Sequence, residues 1–308
     1  MDGSIPVSSS PELPFVAAPP GTIESVTVSA RSAAEHWRYP APELLRVGMN
    51  DIITAGEGVL LRVGQPTAPA RQAIWLADLL ERRGLRVPRY LHDEPFITPE
   101  HAVFAVAAEV ECGPVDWPAV GAMVAHLHLI DRHEIVGSYP LPFCGDFPWW
   151  NFAALLSDVG GEIDQLARTA IESAIERDLP LLDDRRDDRT VVCHGDVHPG
   201  NVIQSDRGPV LLDWDLACHG PAAWDHAPLM TWTERWGGEP AIYERFADGY
   251  GKSMRSDPLA EAIAELRLVA ATLMRVRAGR TNPAAATEAS ERLRFWRGEP
   301  DAPTWNAQ

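Results

Sequence analysis

Polar side chains that could bind a metal and a hydroxyl group lie between residues 194 and 215, at the ends of short apolar stretches. Asp196 and Asn201 fall on one predicted loop, and Asp213 ends the next apolar stretch. The turn sequence at 205–208 predicts a hairpin whose return brings Asn201 and Asp213 close together. Carboxylate and amide oxygens are the hard ligands that Mg²⁺ prefers. The spacing therefore predicts a magnesium site beside a further carboxylate, that of Asp196.

These three side chains match the two requirements of phosphoryl transfer. One carboxylate must orient and deprotonate the acceptor hydroxyl, and a metal must bridge the phosphates of the nucleotide. Asp196 suits the first role, and Asn201 and Asp213 suit the second. A His-Gly-Asp triplet alone is a common turn sequence, and Asp213 and Asp215 alone are consistent with turn or surface carboxylates. The whole set, in this order and spacing, favours the catalytic interpretation.

The same region resembles the signature of a known family. Residues 194–201 read HGDVHPGN and residues 211–215 read LLDWD, which resembles the signature of the aminoglycoside phosphotransferase and choline kinase-like superfamily. The resemblance implies that Asp196 is the catalytic base and that Asn201 and Asp213 bind the metal. It also implies an α+β, two-lobed protein-kinase-like fold, with a small β-rich N-terminal lobe and a larger, mainly helical C-terminal lobe.

Two further segments extend this resemblance, which covers about residues 45–250. Residues 224–227 read WDHA and resemble the helix that follows the motif in the family, with Asp225 in a structural role. Leu127 and His128 resemble the Leu-His pair that ends a helix of the larger lobe. Both segments are expected to support the site rather than to take part in the chemistry.

Three neighbours of the motif remain open to more than one interpretation. We interpret His194 as a histidine that braces the loop rather than as an acid or a base. His198 is better explained by a supporting role behind the catalytic carboxylate than by direct chemistry. Asp215 is equally consistent with a contact to the metal and with a hydrogen bond to the backbone.

Residues 23–112 depart from the family pattern where they should hold the nucleotide. The resemblance implies a Lys on a central strand, oriented by a Glu on the next helix, but Arg62 stands at the place of that Lys. Gln72 or Ala73 stands where the Glu is expected. Arginine is always charged and binds phosphate through two parallel hydrogen bonds, so we predict that Arg62 contacts the nucleotide phosphates. Gly48 and its neighbours form only a weak glycine-rich loop.

The apolar patterns divide the chain into three parts. Residues 1–22 predict a disordered leader rather than a secretory signal, because the segment carries no Lys or Arg and no apolar core. Residues 23–112 predict the nucleotide-binding lobe, and 113–308 the catalytic and acceptor-binding lobe. The predicted N-terminal elements are strands at Asn50–Thr54, Val59–Val63, Arg86–Leu91 and Ala102–Val110 and a helix at Pro69–Arg83, with Thr67 as its N-cap and Gly84 at its end. The predicted C-terminal elements are helices at Trp117–Leu129 (capped by Asp116), 161–177, 221–230, 240–250, 259–278 and 284–296 and strands at Thr190–Cys193, Asn201–Gln204 and Val210–Asp213.

Composition limits the class of partner. The chain has 308 residues, and its 27 basic and 44 acidic residues give a formal charge of −17. Such a charge repels nucleic acids and anionic membranes, so neither is expected as a partner, and it weakly favours a cationic acceptor. The 4 cysteines are scattered without a CxxC pair, which favours reduced thiols in the cytoplasm.

The sequence therefore predicts a kinase that transfers the γ-phosphate of ATP (or GTP) to a hydroxyl of a small molecule with the help of Mg²⁺. Aminoglycosides, amino alcohols and sugars all remain open as acceptors, and the oligomeric state is unknown. A catalytically weak nucleotide-binding pseudokinase is the main alternative, because Arg62 replaces the expected Lys and the helix Glu is missing. A metal-dependent phosphohydrolase would use a similar carboxylate set, but it usually carries a richer cluster of His and Asp.

Overall fold

The computed structural model describes residues 20–65, 69–183 and 190–306. Most of the predicted leader, residues 1–19, lies outside this range, and so does the predicted cap Thr67. In the described part of the chain, no helix combines the length and the apolar character needed to cross a bilayer. The first elements are α1 (Ile23–Trp37), β1 (Glu43–Arg46), β2 (Asp51–Thr54), β3 (Val59–Gly64), α2 (Ala70–Arg82), β4 (Phe96–Ile97) and β5 (Ala102–Ala107).

The N-terminal region is built on an antiparallel sheet in the order β1-β2-β3-β5-β4. The predicted hairpin of β2 and β3 is confirmed, and Arg62 lies in the middle of β3, opposite Ile52 and Phe104. Helix α1, which the sequence analysis did not identify, packs small buried residues such as Ala30 and Ala33 against this sheet. Helix α2 agrees with its prediction to within one residue at each end.

The predicted strand at Arg86–Leu91 is wrong. Only Tyr90 forms an isolated bridge, to Val106 of β5, although Leu91 also donates to Ala105 O. Pro88 lies within this stretch, and proline cannot donate a hydrogen bond to a neighbouring strand. Strand β5 likewise ends at Ala107 rather than at the predicted Val110, because its pairing with β3 ends there.

The C-terminal region is mainly helical, as predicted, and surrounds one large core. Asp116 caps the first of its helices by accepting from Ala119 N at 3.1 Å. The helix at Phe152–Val159, the short helix at Trp232–Trp236 and the strand at Cys218–Gly220 were not predicted. The elements are α3 (Trp117–Leu127), α4 (Phe152–Val159), α5 (Gln165–Asp183), β6 (Val191–Cys193), β7 (Val202–Ser205), β8 (Gly208–Leu211), β9 (Cys218–Gly220), α6 (Ala223–Met230), α7 (Trp232–Trp236), α8 (Ile242–Tyr250), α9 (Pro258–Gly279) and α10 (Pro283–Trp296).

Two short strand pairs position the motif residues. Strands β6 and β9 pair antiparallel, and β7 and β8 form the predicted hairpin with Ser205 opposite Gly208. The loop at 194–201 connects these two pairs. Helix α9 carries a nearly continuous set of buried residues along the core and contacts α5, α6 and α10. The loop is therefore held between strand pairs on one side and buried helices on the other.

Candidate active site

Asp196 lies in the loop at 194–201, which we call the catalytic loop, and both of its carboxylate oxygens have partners. Arg267 of α9 donates to Oδ1 at 2.5 Å and also to the carbonyl of Gly195 at 3.0 Å. His198 Nε2 lies 3.2 Å from Oδ2. Burial opposes ionisation of Asp196, but the contacts with His198 and Arg267 outweigh it and hold its pKa well below the usual range. Asp196 is therefore a fixed, ionised carboxylate.

His194 is fully buried and braces the loop. Its Nε2–H donates to Leu212 O at 2.7 Å, and its Nδ1 accepts from the backbone N–H of Asp196 at 3.2 Å. This pair of bonds requires the neutral ring, and burial lowers the pKa of His194 in agreement. The geometry is that of a brace between the catalytic loop and the end of β8.

Asp225 fastens the other side of the catalytic loop. Its two oxygens accept from the backbone N–H groups of His194 at 2.9 Å and Gly195 at 2.8 Å. His128, at the end of α3, approaches the same carboxylate at 3.1 Å through Nε2 and contacts Tyr250 at 2.8 Å through Nδ1. Burial lowers the pKa of His128, but the bond to Asp225 outweighs it and raises the pKa to about 9. A buried ion pair thus holds the loop backbone.

Gly195 is required by the shape of the catalytic loop. Its φ is +94°, a region that L side chains rarely adopt, and a Cβ there would lie 2.0 Å from Leu216 O. The loop passes too close to the neighbouring backbone for any side chain at this position. Steric hindrance at position 195 thus explains why the motif has a glycine there.

The hairpin brings Asn201 and Asp213 to the same end of β7 and β8. Val202 pairs with Leu211, and Leu212 N donates to Asn201 O at 2.8 Å, so Asp213 follows directly. Asn201 donates through Nδ2 to Asp196 O at 2.9 Å, which leaves its amide oxygen for another contact. Asp213 has a φ of 58°, a left-handed conformation that Asp tolerates better than most residues. Desolvation by the surrounding residues and the negative charge of Asp215 raise the pKa of Asp213.

The donors at this end of the hairpin fit Mg²⁺. One amide oxygen and the carboxylate of Asp213, whose side chain is 42% exposed, combine hard ligands with access to solvent. The close carboxylate of Asp215 adds to the negative charge that a divalent ion would neutralise. The described residues also include a buried group of a different kind, His128, Cys193 and Asp225. In that group Asp225 is already bonded to the loop and to His128.

Arg62 reaches from β3 to the carboxylates at the end of the hairpin. Its NH2 group contacts Asp213 at 3.3 Å and forms a closer ion pair with Asp215. Asn50 adds a long contact of 3.4 Å to Asp215. The Glu expected on α2 is absent, and the carboxylate of Asp215 orients the Arg62 side chain instead. Gln72 of α2 leaves its buried side-chain oxygen without a partner among the described residues.

A pocket of about 190 Å³ opens beside Asp196. Trp232 stacks on His198 of the catalytic loop, with ring centroids 4.9 Å apart. Trp236 stacks on Trp232 at 5.6 Å, so the two indoles extend the pocket lining from the catalytic loop. Trp150, by contrast, is buried in the core of the C-terminal region. The pocket is lined by Asp196, His198, Pro228, Thr231, Trp232, Trp236, Arg267, Leu268 and Ala271.

Sequence reasoning missed Arg267, although it is the closest partner of Asp196. The residue follows the motif by 71 positions, and no local spacing connects them. The one available signal is a charged residue within the long apolar helix pattern of α9, because an Arg in such a pattern needs a partner. Its guanidinium also lies over the rings of Trp149 and Trp224, at 5.6 and 5.5 Å.

A family model described as the phosphotransferase enzyme family matches residues 53–268, more than two thirds of the chain. The chain belongs to this family. The match includes the catalytic loop, the hairpin, Arg62 and Arg267. A curated relative, a probable ketoamine kinase of Thermus thermophilus, is 30% identical over 145 residues, which are 44% of this chain. The chain thus spans about 50% of the length of that relative.

Solved structures of phosphotransferases have the same fold. An aminoglycoside 2′-phosphotransferase-IIIa in complex with GDP superposes with a TM-score of 0.68 at 14% identity, over 90% of this chain and 99% of that one. A spectinomycin phosphotransferase bound to ADP and spectinomycin gives a TM-score of 0.62 at 14% identity, over 83% and 89%. The expectation of an α+β, kinase-like fold with a β-rich N-terminal and a helical C-terminal region is confirmed.

Proposed function

We propose that this protein is a small-molecule kinase that transfers the γ-phosphate of ATP to a hydroxyl group of its acceptor. The observation that carries the proposal is the position of Asp196, an ionised carboxylate at the edge of a pocket, fixed by Arg267 and His198. Asn201 ties the Mg²⁺ site to the same loop through its bond to Asp196 O. The acceptor hydroxyl and the metal would thus both bind to residues of the catalytic loop.

Asp196 acts as the base by accepting a hydrogen bond from the acceptor hydroxyl and orienting its oxygen toward the phosphate. Its lowered pKa keeps it ionised. A weak base suffices because phosphoryl transfer passes through a loose transition state in which little charge develops on the attacking oxygen before the proton moves. The proton of the hydroxyl goes to a carboxylate oxygen of Asp196 as the new O–P bond forms.

Asn201 and Asp213 would hold Mg²⁺, which neutralises phosphate charge when it is bound. Arg62, which contacts Asp213 and Asp215, would donate hydrogen bonds to the phosphates while it stays paired with Asp215. His194 braces the loop, and His198 supports Asp196. Residues 23–112 form the nucleotide lobe, and residues 113–308 form the catalytic and acceptor lobe.

The choice of ATP over GTP belongs to the proposal, since the solved relatives include complexes with both ADP and GDP. The free thiols of the cysteines fit a cytoplasmic enzyme that uses cellular ATP. The acceptor is a small molecule with a free hydroxyl, and a ketoamine is one candidate on account of the partial relative.

The test is turnover of ATP and of GTP by the purified protein with Mg²⁺, with and without acceptors from the ketoamine, aminoglycoside, amino alcohol and sugar classes. Phosphorylated acceptor must be detected directly by mass spectrometry. The proposal predicts acceptor-dependent turnover that needs Mg²⁺. Phosphate release at the same rate without any acceptor would support a phosphohydrolase instead.

A nucleotide-binding pseudokinase remains the second candidate, and Arg62 is the observation that favours it. In this structure Arg62 is bonded to the very carboxylates that would hold the metal. A protein in which this pair never opens would bind nucleotide without turnover. Measured nucleotide affinity with no phosphorylated product across the whole acceptor panel would establish the pseudokinase.

A further inference from the structure

The pocket beside Asp196 carries little negative charge, in contrast to the chain as a whole. Among the residues that line it, Asp196 is the one acid. That carboxylate is matched by Arg267 on one oxygen and by His198 on the other. The pocket lining is therefore neutral, or positive when His198 is protonated.

Three other acids of the C-terminal region, Asp146, Asp225 and Glu234, do not line this pocket. Asp225 is fully buried and bonded to the backbone of the catalytic loop. Glu234 is exposed on α7, and Asp146 belongs to the segment before α4. The formal charge of −17 is thus carried elsewhere, and it does not describe the surface that an acceptor would contact.

The size of the pocket and its mixed lining suit a small ring with hydroxyl groups. The apolar part of the lining consists of Pro228, Leu268, Ala271 and the two indoles of α7. Its polar part consists of Thr231, His198, Arg267 and Asp196. A volume of about 190 Å³ lies below the roughly 300 Å³ at which pockets for drug-sized ligands begin. The part of the acceptor that enters the pocket is therefore about the size of one sugar ring or a short polyol.

We infer that the acceptor is an uncharged sugar or polyol of about monosaccharide size, and that Arg267 disfavours cationic acceptors, including ketoamines whose amine is protonated. The inference rests on the proposed kinase function and names the acceptor class for it. A cationic group in this pocket would lie beside the guanidinium of Arg267, whose side chain is 13% exposed, and the carboxylate of Asp196 that could compensate it is already paired with Arg267. Placing like charges together in a desolvated site is unfavourable.

The experiment compares acceptors that differ in one charge. A neutral hexose is measured against its 2-amino and its 2-acetamido derivative, with choline and kanamycin as further cations. The expected kcat/KM for the neutral compounds exceeds that for the matched amine by roughly tenfold or more. Equal or greater use of the amine, of choline or of kanamycin would overturn the inference while leaving the kinase function intact. Failure of every acceptor would overturn both.

Variants at Arg267 separate its charge from its contacts. Arg267→Gln removes the charge, and we expect it to narrow the preference for the neutral hexose over the amine by severalfold, whatever happens to the absolute rate. Arg267→Lys retains the charge and should retain the preference. Arg71→Gln is the matched control, because it removes the same charge from a side chain that is 70% exposed on α2.

Circular dichroism establishes which variants are folded. If Arg267→Gln does not fold, the preference of the wild type and of Arg267→Lys still decides the inference. If a folded Arg267→Gln protein keeps the same preference for the neutral hexose over the amine, Arg267 does not set the selectivity. That result would overturn the role inferred for Arg267.

Discussion

The loop around Asp196 and the side chain of Arg62 are fixed in position by different kinds of contacts. On the catalytic side, the loop around Asp196 is fixed by the protein itself: Asp225 accepts two of its backbone N–H groups, His194 braces it, and Arg267 bonds to its carbonyl and its carboxylate. In the N-terminal region, Arg62 of β3 is oriented by the carboxylates of Asp213 and Asp215 in the C-terminal region, and the following helix α2 offers no acid in its first turn.

Under the proposed function, this difference separates the residues that would bind the acceptor from those that would bind the nucleotide. The geometry at Asp196 does not depend on a ligand, because each of its partners belongs to the chain. The geometry at Arg62 uses Asp213, which Mg²⁺ would also use. We therefore expect the catalytic loop to be rigid without ligands, and the Arg62 contact to rearrange when metal and nucleotide bind.

The largest effect is expected from Asp225→Asn. The substitution removes the buried charge that faces His128 and places an N–H group where two backbone N–H groups need an acceptor. We expect the free energy of unfolding to fall by about 3–5 kcal/mol. Chemical denaturation measures it, with Asp248→Asn on the exposed face of α8 as the control. A loss no larger than that of the control would remove Asp225 from the account of the loop.

The same ion pair makes stability depend on pH. The folded state raises the pKa of His128 from 6.5 to about 9, so its contribution is complete below pH 6.5 and is lost as the pH rises through 9. Between pH 7 and 9 the wild type should lose roughly 2–3 kcal/mol more than His128→Gln does. His226→Gln is the control, because burial lowers the pKa of His226 to about 4. Identical slopes for wild type and His128→Gln would contradict the ion pair.

A pair of glycines tests the close fit of the catalytic loop. Gly195 and Gly208 both have positive φ, but a Cβ meets Leu216 O at 2.0 Å in the first case and nothing within 4 Å in the second. The backbone strain of an alanine is therefore similar, and the difference reports the steric clash. We expect Gly195→Ala to cost about 2 kcal/mol more than Gly208→Ala in thermal or chemical unfolding. An equal loss in the free energy of unfolding for the two variants would mean that the catalytic loop shifts to accommodate the added Cβ.

The smallest effect is expected on the nucleotide side. Arg62→Ala should weaken ATP binding by about tenfold, near 1.4 kcal/mol, because a charged hydrogen-bond donor to phosphate is lost. Calorimetry with ATP and Mg²⁺ measures the affinity, and Arg71→Ala provides the surface control. Unchanged affinity would exclude Arg62 from the phosphates and would leave it as a partner of Asp215 in the free protein.

The sequence predicted the parts of the site that are close together along the chain. The loop and hairpin follow from turn chemistry and short apolar stretches within residues 190–215, and the pairing of β7 with β8 agrees with the predicted return that brings Asn201 and Asp213 together. The assignment of roles to these residues and to Asp196 remains a prediction. The long helices α9 and α10 were located within a residue or two, and each of them begins with a polar cap, Asp257 or Asn282, followed by a proline.

Contacts between distant segments could not be predicted. Nothing in the sequence near Asp196 indicates Arg267, and nothing near Arg62 indicates that Asp215 will orient it. Helix α1 was missed, and its buried face consists mainly of small residues: Ser29, Ala30, Ala33 and Ala34 beside Val26. The strand at Arg86–Leu91 was wrongly predicted because its apolar residues matched a strand, while Pro88 prevented regular pairing.

The most direct test of the account is acceptor-dependent phosphoryl transfer by Asp196→Asn, measured beside the wild type with the best acceptor of the panel. The variant keeps the size of the side chain and removes its negative charge. We predict that kcat falls by roughly 10²–10⁴-fold, while the affinity for ATP and Mg²⁺ and the circular dichroism spectrum stay unchanged. A folded Asp196→Asn protein whose kcat lies within a few fold of the wild type would contradict Asp196 as the base.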